Sequence, residues 1–522
     1  MQAYPSDGTI RSATTMHVDR ATMSPKRSPS VTAAVPEDAR RGVRAGGFHW
    51  LLAEPLPAAL PRQQLLYQRL RAAIVDGRLA PGLRLPASRA LAEELGIARN
   101  TVLFAYEQLA AEGCLVADRH GTRVATLAGG GRSPVRAGAA SLPGLARRAV
   151  AALQPEAGAD DDAALLAPGL PELGAFPFRA WRASLERAWR AATPRQLGYA
   201  PHGGEPALRA ALAEHLTTLR GFAVRAEQVV ITGGTQAGLD LCARLLADAG
   251  DTAWVENPGY PAARTALGLA GLAQHAVAVD AEGLAPDAAD WQAHAPRLIL
   301  LTPSHQYPTG RVMSLARRLA VLDGARAAGA WVVEDDYDSE FRRGSPALPA
   351  LYGLQPDAPV IYAGTFSKTL YPGLRIGYLV VPEALAADFV RAAGQATRPG
   401  HGIEQAALAD FIRRGHYTAH LRRIRRRYER RQAALRDALA RQPGPELAIT
   451  GGEAGLHLTL WLPPELPDTA IARRAAALGL GVRPLSRYAL PPMACNGLVL
   501  GYGNLDEGQA MEAVRRLRLA MR

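Results

Sequence analysis

The strongest constraint on the fold is an alternation that runs from about residue 163 to the end of the chain. Short apolar runs alternate there with helix-like stretches of about 10 to 20 residues. The apolar runs are Val229–Thr232, Thr252–Glu256, Leu298–Thr302, Trp331–Asp335 and Val360–Ala363. A repeated strand–helix–strand order favours a mostly parallel sheet covered by helices. The sequence therefore predicts an α/β domain over residues 163–522.

Composition divides the rest of the chain into three segments. Residues 1–46 are rich in Ser, Thr, Pro, Ala and Arg without apolar periodicity, which indicates a disordered tail. Residues 58–127 carry a compact helical pattern, and residues 128–162 have a linker composition. No apolar run is long enough for a membrane span, and no secretory signal is visible. Together with three widely spaced cysteines, these features predict a cytoplasmic protein with reduced thiols.

The basic residues are almost all arginines. The formal net charge is +12, which favours polyanionic partners, and only two of the 60 basic residues are lysines, Lys26 and Lys368. Because Lys26 lies in the predicted tail, Lys368 is the candidate for any chemistry that needs a primary amine. A run of ten arginines between residues 413 and 436 is compatible with a solvated helix face or with a second DNA-contacting patch.

A helix-turn-helix pattern lies within residues 58–127. Leu66, Leu70 and Ile74 give a first helix one apolar face, a second helix starts near Ser88, and a third ends before Gly113. The second and third helices are joined by a tight turn at residues 96–97. After them, residues 114–117 and 122–126 can pair as a two-stranded wing.

The start of the third helix is the predicted base-reading surface. The N-terminal residues of a recognition helix meet base edges, and arginine and asparagine pair with guanine and adenine. Arginines in the flanking turns can hold phosphates. A small helical interaction domain with a solvated arginine surface is the alternative. The predicted DNA-contacting residues are Arg84, Ser88, Arg89, Arg99, Asn100, Thr101, Arg119 and Gly121.

Three segments of this region carry a family resemblance. Residues 77–82 (Gly-Arg-Leu-Ala-Pro-Gly), 85–89 (Leu-Pro-Ala-Ser-Arg) and 95–102 (Leu-Gly-Ile-Ala-Arg-Asn-Thr-Val) resemble the GntR family of winged-helix regulators. The resemblance implies binding to double-stranded operator DNA. Ala98 stands where the family usually has serine, which removes a helix cap worth about 1 kcal/mol and a phosphate contact. We therefore expect weakened but retained DNA binding.

Four motifs follow predicted strands in the larger domain. They are the glycine-rich turn 233–238, the segment 256–260, the acidic segment 334–338 and the segment 365–375. A glycine-rich helix start binds phosphate, and carboxylates at the carboxyl edge of a parallel sheet lie where ligands bind. Arg375 can hold a phosphate with two hydrogen bonds. A metal site at the acidic segment is the less favoured alternative, because no histidine lies nearby in sequence.

Together these motifs resemble the fold-type-I aminotransferases, with a smaller C-terminal α+β subdomain. The resemblance implies that Lys368 binds pyridoxal phosphate as an aldimine, that Asp335 pairs with the ring nitrogen, and that Tyr337 bonds the phenolic oxygen. It implies that Tyr260 stacks on the ring and that Tyr199 reaches the phosphate of a neighbouring subunit. The implied phosphate ligands are Gly234, Thr235, Gln236, Thr365 and Arg375.

Two departures from the aminotransferase pattern concern the substrate side. Tyr307 replaces the asparagine of the family's Asn-Pro-Thr-Gly motif, and Leu500 aligns with the family's carboxylate-binding arginine. If both groups are absent, an α-amino acid is poorly held for full transamination. Arg264 or Arg483 could replace the lost arginine.

The order of the domains resembles the MocR-type branch of the GntR regulators. Residues 304–310, 335–341 and 415–417 are typical of that branch. The resemblance implies a homodimeric transcription regulator that senses pyridoxal phosphate itself or a small amino compound at Lys368, without a metal or a membrane. An aminotransferase with an appended DNA-binding domain is the alternative, and a scaffold that keeps the cofactor only for structure is a third hypothesis.

Overall fold

The structure is a computed structural model that divides into two compact units, Met1–Pro143 and Gly144–Arg522. The predicted tail over 1–46 and residues 128–143 of the predicted linker lie outside the described residues. Across the described ranges, no helix is long and apolar enough to cross a membrane. The structure describes residues 47–52, 60–119, 121–126, 144–153, 161–199, 201–343, 348–397, 400–491 and 493–522.

The smaller unit has the three helices and the wing that the sequence predicts. Helix α1 (Arg62–Val75) buries the predicted apolar face, and helix α2 (Ser88–Leu95) ends at Gly96 in the left-handed conformation. Helix α3 (Arg99–Ala111) follows after two residues. Strands β1 (Leu115–Asp118) and β2 (Gly121–Val124) pair antiparallel. The predicted wing strands were therefore correct in type and displaced by one or two residues.

The larger unit is built on an eight-stranded mixed sheet. Its strands are β3 Val229–Thr232, β4 Thr252–Asn257, β5 Ala273–Asp280, β6 Gly283–Leu284, β7 Leu298–Leu301, β8 Trp331–Asp336, β9 Val360–Thr365 and β10 Gly377–Val380. Their order in the sheet is β3-β10-β9-β8-β7-β4-β5-β6. Strand β10 is antiparallel to both neighbours and β6 forms an antiparallel end, whereas the pairs among β4, β5, β7, β8 and β9 are parallel. The mostly parallel sheet expected from the sequence is thus confirmed.

Helices and a second sheet complete this unit. The predicted C-terminal α+β subdomain contains four strands, β11 Ile449–Thr450, β12 His457–Trp461, β13 Arg483–Pro484 and β14 Gly497–Gly501. They form a sheet of order β11-β12-β14-β13. The helices of the unit are α4 Arg147–Ala152, α5 Phe178–Arg190, α6 Pro194–Leu197, α7 Pro206–Arg220, α8 Thr235–Leu246, α9 Pro261–Ala270, α10 Ala288–Ala293, α11 Leu315–Ala328, α12 Glu383–Ala392, α13 Gly402–Arg413, α14 His416–Arg441, α15 Asp468–Ala477 and α16 Ala510–Ala520.

Two features of this unit differ from the sequence-based expectation. Helix α4 lies inside the predicted linker and packs against α9, where an added Cβ at Gly268 would lie 3.0 Å from Ala152. In helix α14, Arg431 is buried and donates hydrogen bonds to Glu172 and Asp506. Part of the arginine run therefore stabilises the fold internally, a role that neither predicted alternative included.

Candidate cofactor pocket and DNA-contacting surface

The main pocket of the larger unit lies at the carboxyl ends of the parallel strands, where ligands bind in folds of this kind. Its volume is about 340 Å³. Eight of the residues predicted for the cofactor line it, whereas Tyr199 does not line it and is 83% exposed. The predicted lining residues are Thr235, Gln236, Tyr260, Asp335, Tyr337, Thr365, Lys368 and Arg375.

Lys368 follows strand β9 and is partly buried. Its Nζ donates a hydrogen bond of 2.6 Å to the carbonyl oxygen of Gly169. Removal from water lowers the pKa of the Lys368 amine, although the carboxylates of Asp338, Asp162 and Asp335 oppose that shift. A lowered pKa increases the neutral fraction of the amine, which is the form that attacks a carbonyl carbon.

Asp335 lies in strand β8 with its carboxyl group buried. Burial, reinforced by the charges of Asp336 and Asp338, raises the pKa of Asp335 to about 7. Its Oδ1 atom has no hydrogen-bond partner among the described residues. A buried polar atom without a partner is costly. A protonated ring nitrogen would satisfy this atom and would favour the carboxylate, so the site fits a pyridinium group.

An anion cradle lies between the N-terminus of α8 and Arg375. Gly234 has φ 94°, which orients the backbone at the first turn of α8. An added Cβ at Gly234 would lie 3.3 Å from the Arg375 guanidinium, so the two groups are in close contact. Backbone N–H groups at a helix N-terminus and a guanidinium group together bind phosphate well. Ser367, which the sequence analysis did not select, also lines the pocket beside Thr365.

Two of the predicted cofactor ligands use their polar groups within the protein. The Gln236 amide donates to the carbonyl oxygen of Ala262 at 2.7 Å, so it ties α8 to the start of α9. The Tyr337 hydroxyl donates to the carbonyl oxygen of His305 at 2.9 Å and lies 3.1 Å from His305 Nδ1. Both side chains still line the pocket.

Tyrosines form one wall of the pocket. The rings of Tyr260 and Tyr307 meet edge to face with centroids 5.8 Å apart, and the Tyr307 and Tyr488 hydroxyls lie 3.0 Å apart. Tyr307 is thus held by a hydroxyl partner within the wall. The replacement of the family's asparagine by tyrosine substitutes an aromatic surface for an amide at this point.

A buried cluster beside the pocket was missed by the sequence analysis. His305, Asp338 and His457 place their ligand-capable atoms within 4.8 Å of one another. Burial lowers the pKa of each histidine to about 3 and raises the pKa of Asp338 to about 8. No histidine lies near the acidic segment in sequence, but the fold brings His305 and His457 next to Asp338. His305 follows β7 and His457 lies in β12, so no local sequence pattern indicates that the two residues meet.

Leu500, which the sequence analysis aligned with the carboxylate-binding arginine, does not face the tyrosine wall. Leu498 and Leu500 pack into the main core on one face of β14. Val499 lies on the other face with Leu485 and Tyr488, against Tyr307. The residue of β14 on the side of the tyrosine wall is therefore valine, and no arginine occurs in this strand.

In the smaller unit, the predicted DNA-contacting residues form two exposed groups. Arg99 and Asn100 begin α3 and are exposed, and Arg99 Nε lies 3.4 Å from the Ser88 hydroxyl of α2. At the wing, the Arg84 guanidinium lies against Gly121, where an added Cβ would be 3.1 Å away. Ala98 is the N-cap of α3 and supplies no side-chain cap, as the sequence predicts.

The other predicted DNA contacts belong to the same surface elements. Thr101 lies in the first turn of α3 and is half-buried, and Arg89 lies in the first turn of α2 and is exposed. Arg119 is exposed in the wing turn. The fold and the two sites together define a protein with a winged-helix DNA-binding unit and an aminotransferase-type unit.

Comparison with known proteins agrees with both units. The family described as "Bacterial regulatory proteins, gntR family" matches residues 62–124, and "Aminotransferase class I and II" matches residues 166–490. The probable rhizopine catabolism regulatory protein MocR of Rhizobium meliloti is 41% identical over 89% of this chain and 94% of its own length. The pyridoxine biosynthesis transcriptional regulator PdxR of Corynebacterium glutamicum is 34% identical over 86% of this chain and 93% of its own length.

A solved structure supports the fold of the larger unit. The α-aminoadipate aminotransferase LysN of Thermus thermophilus, complexed with N-(5′-phosphopyridoxyl)-L-leucine, superimposes with a TM-score of 0.63 at 32% identity. The match covers 69% of this chain and 92% of that one. The chain belongs to the MocR-type branch of the GntR family of transcription regulators.

Proposed function

We propose that this protein is a homodimeric, cytoplasmic transcription regulator that binds operator DNA through α3 and the wing and senses pyridoxal phosphate or a primary amine at Lys368. The observation that carries the proposal is the pocket around Lys368. It combines an amine of lowered pKa, a buried Asp335 oxygen without a partner among the described residues, and the anion cradle at Arg375. These three features match the aldehyde, the ring nitrogen and the phosphate of one cofactor.

Each pocket residue has a separate task. Pyridoxal phosphate supplies an aldehyde that condenses with primary amines and a ring that withdraws electrons. Lys368 would provide the neutral amine, and the Asp335 carboxylate would accept a hydrogen bond from the protonated ring nitrogen. Arg375 and the α8 backbone at Gly234 and Thr235 would bind the phosphate.

The remaining predicted ligands orient the ring. Tyr260, Tyr337 and Thr365 line the pocket, where they would contact the ring and its substituents. Gln236 holds the phosphate-binding turn in place through its bond to Ala262. The 83% exposure of Tyr199 supports a contact with the pocket of a second subunit.

The substrate side supports sensing over turnover. Tyr307 stands where aminotransferases have an amide, and β14 carries no arginine on the face of Val499. An amine can therefore enter and react with less control of its orientation, which reduces the rate of the later proton transfers. The alternative is an aminotransferase with an appended DNA-binding domain. It is favoured by the complete set of predicted cofactor-binding residues around Lys368. A residual half-reaction of transamination is compatible with the regulator and with the aminotransferase.

A ligand can regulate DNA binding only if it binds two arrangements of the protein with different affinity. Displacing the Lys368 amine by an incoming amine changes the charge in a pocket that already holds several buried carboxyls. That change is a physical source of differential affinity. By linkage, operator DNA must change the affinity for the effector by the same factor.

The test is fluorescence anisotropy of the full-length protein on DNA from upstream of its own gene, against scrambled DNA at two salt concentrations. We expect selective binding that shifts with pyridoxal phosphate or with added amines. Lys368→Ala should lose the shift and the visible absorbance of the bound cofactor while it keeps basal DNA binding. Arg99→Ala should lose selectivity while it keeps the cofactor. Rapid turnover of an amino acid with an oxo acid, without selective DNA binding, would establish the alternative.

A further inference from the structure

Arg483 lies beside the position of the missing carboxylate-binding arginine. In the antiparallel pair of β13 and β14, Arg483 is directly opposite Val499. Side chains of directly opposed residues project from the same face of a sheet, with Cβ atoms about 5 Å apart. Arg483 therefore projects to the side of the tyrosine wall. Its charge is close enough to Tyr307 to oppose the effect of burial on the pKa of that hydroxyl.

The guanidinium group of Arg483 is paired with a carboxylate at the rim of the cofactor pocket. Its Nη2 donates to Asp162 Oδ1 at 2.9 Å, and its Nη1 donates to the carbonyl oxygen of Gly481. Asp162 lines the pocket, and its negative charge also acts on Lys368. The Asp162 carboxylate thus binds the guanidinium of Arg483 and also acts electrostatically on the amine of Lys368.

Arg483 and Asp162 differ in solvent exposure, and this difference determines which of the two can be replaced by another group. The side chain of Arg483 is 10% exposed and that of Asp162 is 75% exposed. A buried cation needs an anionic partner, because an unpaired buried charge is costly. An exposed carboxylate loses little when it returns to water. Another anion can therefore replace Asp162 at Arg483.

We propose that Arg483 is the anion subsite of the cofactor pocket, that Asp162 occupies it in the absence of effector, and that the effector is a primary amine carrying a carboxylate that displaces Asp162. The inference rests on the proposed function, because it assumes that the amine reacts at the Lys368 site. It adds the chemical class of the effector and the contact through which the effector is sensed.

The displaced residue belongs to the segment by which the chain enters the larger unit. Immediately after Asp162, Leu165 forms a bridge with Leu480, and Gly481 donates its N–H to Leu165. Gly501 donates to Leu166 in the same way. The Asn504 amide also donates to the carbonyl oxygens of Ala163 and Ala164. These bonds fix the segment from residue 163 onward, so release of Asp162 loosens residues 161 and 162 directly before this anchor.

The test uses the full-length protein loaded with pyridoxal phosphate and two series of amines. One series runs from glycine to 5-aminopentanoate, and the other consists of alkylamines of the same chain lengths without the carboxylate. The visible absorbance of the cofactor measures amine binding, and anisotropy measures operator binding. The variants are Asp162→Asn, Arg483→Gln and, as a matched control, Asp161→Asn. Asp161 is an exposed neighbour whose oxygen accepts from Ala163, so the control removes the same charge outside the Arg483 contact.

We expect the wild-type protein to prefer one amino carboxylate over its alkylamine by about tenfold, which corresponds to about 1.4 kcal/mol. Asp162→Asn should tighten that carboxylate's binding several-fold and shift operator binding toward the effector-bound value without any amine. Asp161→Asn should do neither. Arg483→Gln should abolish the preference while it still binds alkylamines, and that binding shows that the variant is folded.

Two results overturn the inference while they leave the proposed function standing. One is equal binding of both series by the wild-type protein and by Arg483→Gln. The other is identical behaviour of Asp162→Asn and Asp161→Asn. If no amine of either series, and no addition of cofactor, changes absorbance or operator binding, both the inference and the proposed function fail.

Discussion

Replacing Asp335 by asparagine should stabilise the cofactor-free protein at alkaline pH. The pKa of Asp335 rises from 3.8 to about 7 because burial and the charges of Asp336 and Asp338 disfavour the carboxylate. A difference of about three pH units between the folded and unfolded states, at ~1.4 kcal/mol each, corresponds to about 4 kcal/mol. The Asp335→Asn side chain carries no charge, so the variant avoids this cost.

The direction in which pH changes the free energy of unfolding follows from proton linkage. Between about pH 4 and pH 7, the folded state keeps the Asp335 proton and the unfolded state releases it. The free energy of unfolding of the wild-type protein therefore falls as pH rises through this window. The advantage of Asp335→Asn should be small near pH 4, about 1.5 kcal/mol near pH 5, and complete above pH 7.

The same substitution should weaken cofactor binding. The wild-type carboxylate can pair with a protonated ring nitrogen, and a charge-assisted hydrogen bond of this kind is worth about 1.5–3 kcal/mol. We expect the dissociation constant for pyridoxal phosphate to rise by about ten- to a hundredfold. One carboxyl group thus destabilises the empty pocket and stabilises the filled one.

The assay is denaturant unfolding at pH 5 and pH 8, with and without saturating cofactor, followed by tryptophan fluorescence. Trp50 is the only one of the seven tryptophans outside the larger unit, so the signal reports mainly on that unit. Glu334→Gln is the control. Glu334 is also buried in β8 with a pKa of about 7, but it does not line the pocket. Because Glu334 also pairs with the buried Arg318, at 3.9 Å, the control should gain no stability, and it should keep its cofactor affinity. A variant Asp335→Asn that is less stable than the wild type at pH 8, or a difference independent of pH, would refute the reasoning.

Three further substitutions have defined outcomes. Arg375→Gln should lower the affinity for pyridoxal phosphate at least about tenfold by equilibrium dialysis, because the cradle loses its guanidinium; unchanged affinity would contradict the cradle. Gly455→Ala should destabilise the larger unit by about 2 kcal/mol or more in calorimetry, since its Cβ would lie 2.2 Å from Asp338 and its φ is +69°. Ala98→Ser should stabilise the smaller unit by about 1 kcal/mol by capping α3, whereas Ala110→Ser in the same helix should not.

The parts of this structure that the sequence predicts are those encoded by local patterns. Leucines at four-residue spacing fix the apolar face of α1, and the glycine at position 96 ends α2 in the left-handed conformation. Short apolar runs locate the strands that carry the cofactor residues. The rarity of lysine singled out Lys368, and the structure indeed brings it into one pocket with Asp335 and Arg375.

The parts that the sequence did not predict depend on pairings between distant segments. His457 meets His305 only because β12 packs beside the loop after β7. Arg483 of the neighbouring strand lies directly opposite Val499, which becomes visible only through the register of β13 with β14. The face of β14 on which Leu500 lies is also not readable from the sequence, since a shift of one residue in a strand exchanges its two faces.

The electrostatics of the pocket suit a receptor whose empty and ligand-bound forms differ in the protonation of the pocket residues. Asp335 and Glu256 each have a pKa raised to about 7 by burial, and the pKa of the Lys368 amine is lowered. Asp335 and Glu256 are thus held near the balance point between their charged and neutral forms, so a ligand that brings one positive and several negative charges changes both together. The free energy released when these carboxyl groups change their charge becomes available to shift a conformational equilibrium. Under the proposed function, an effector amine would act on the same carboxyl groups, because it would exchange with the Lys368 amine. This coupling predicts that Asp335→Asn, although stably folded, responds more weakly to effector amines than Glu334→Gln in the operator-binding assay.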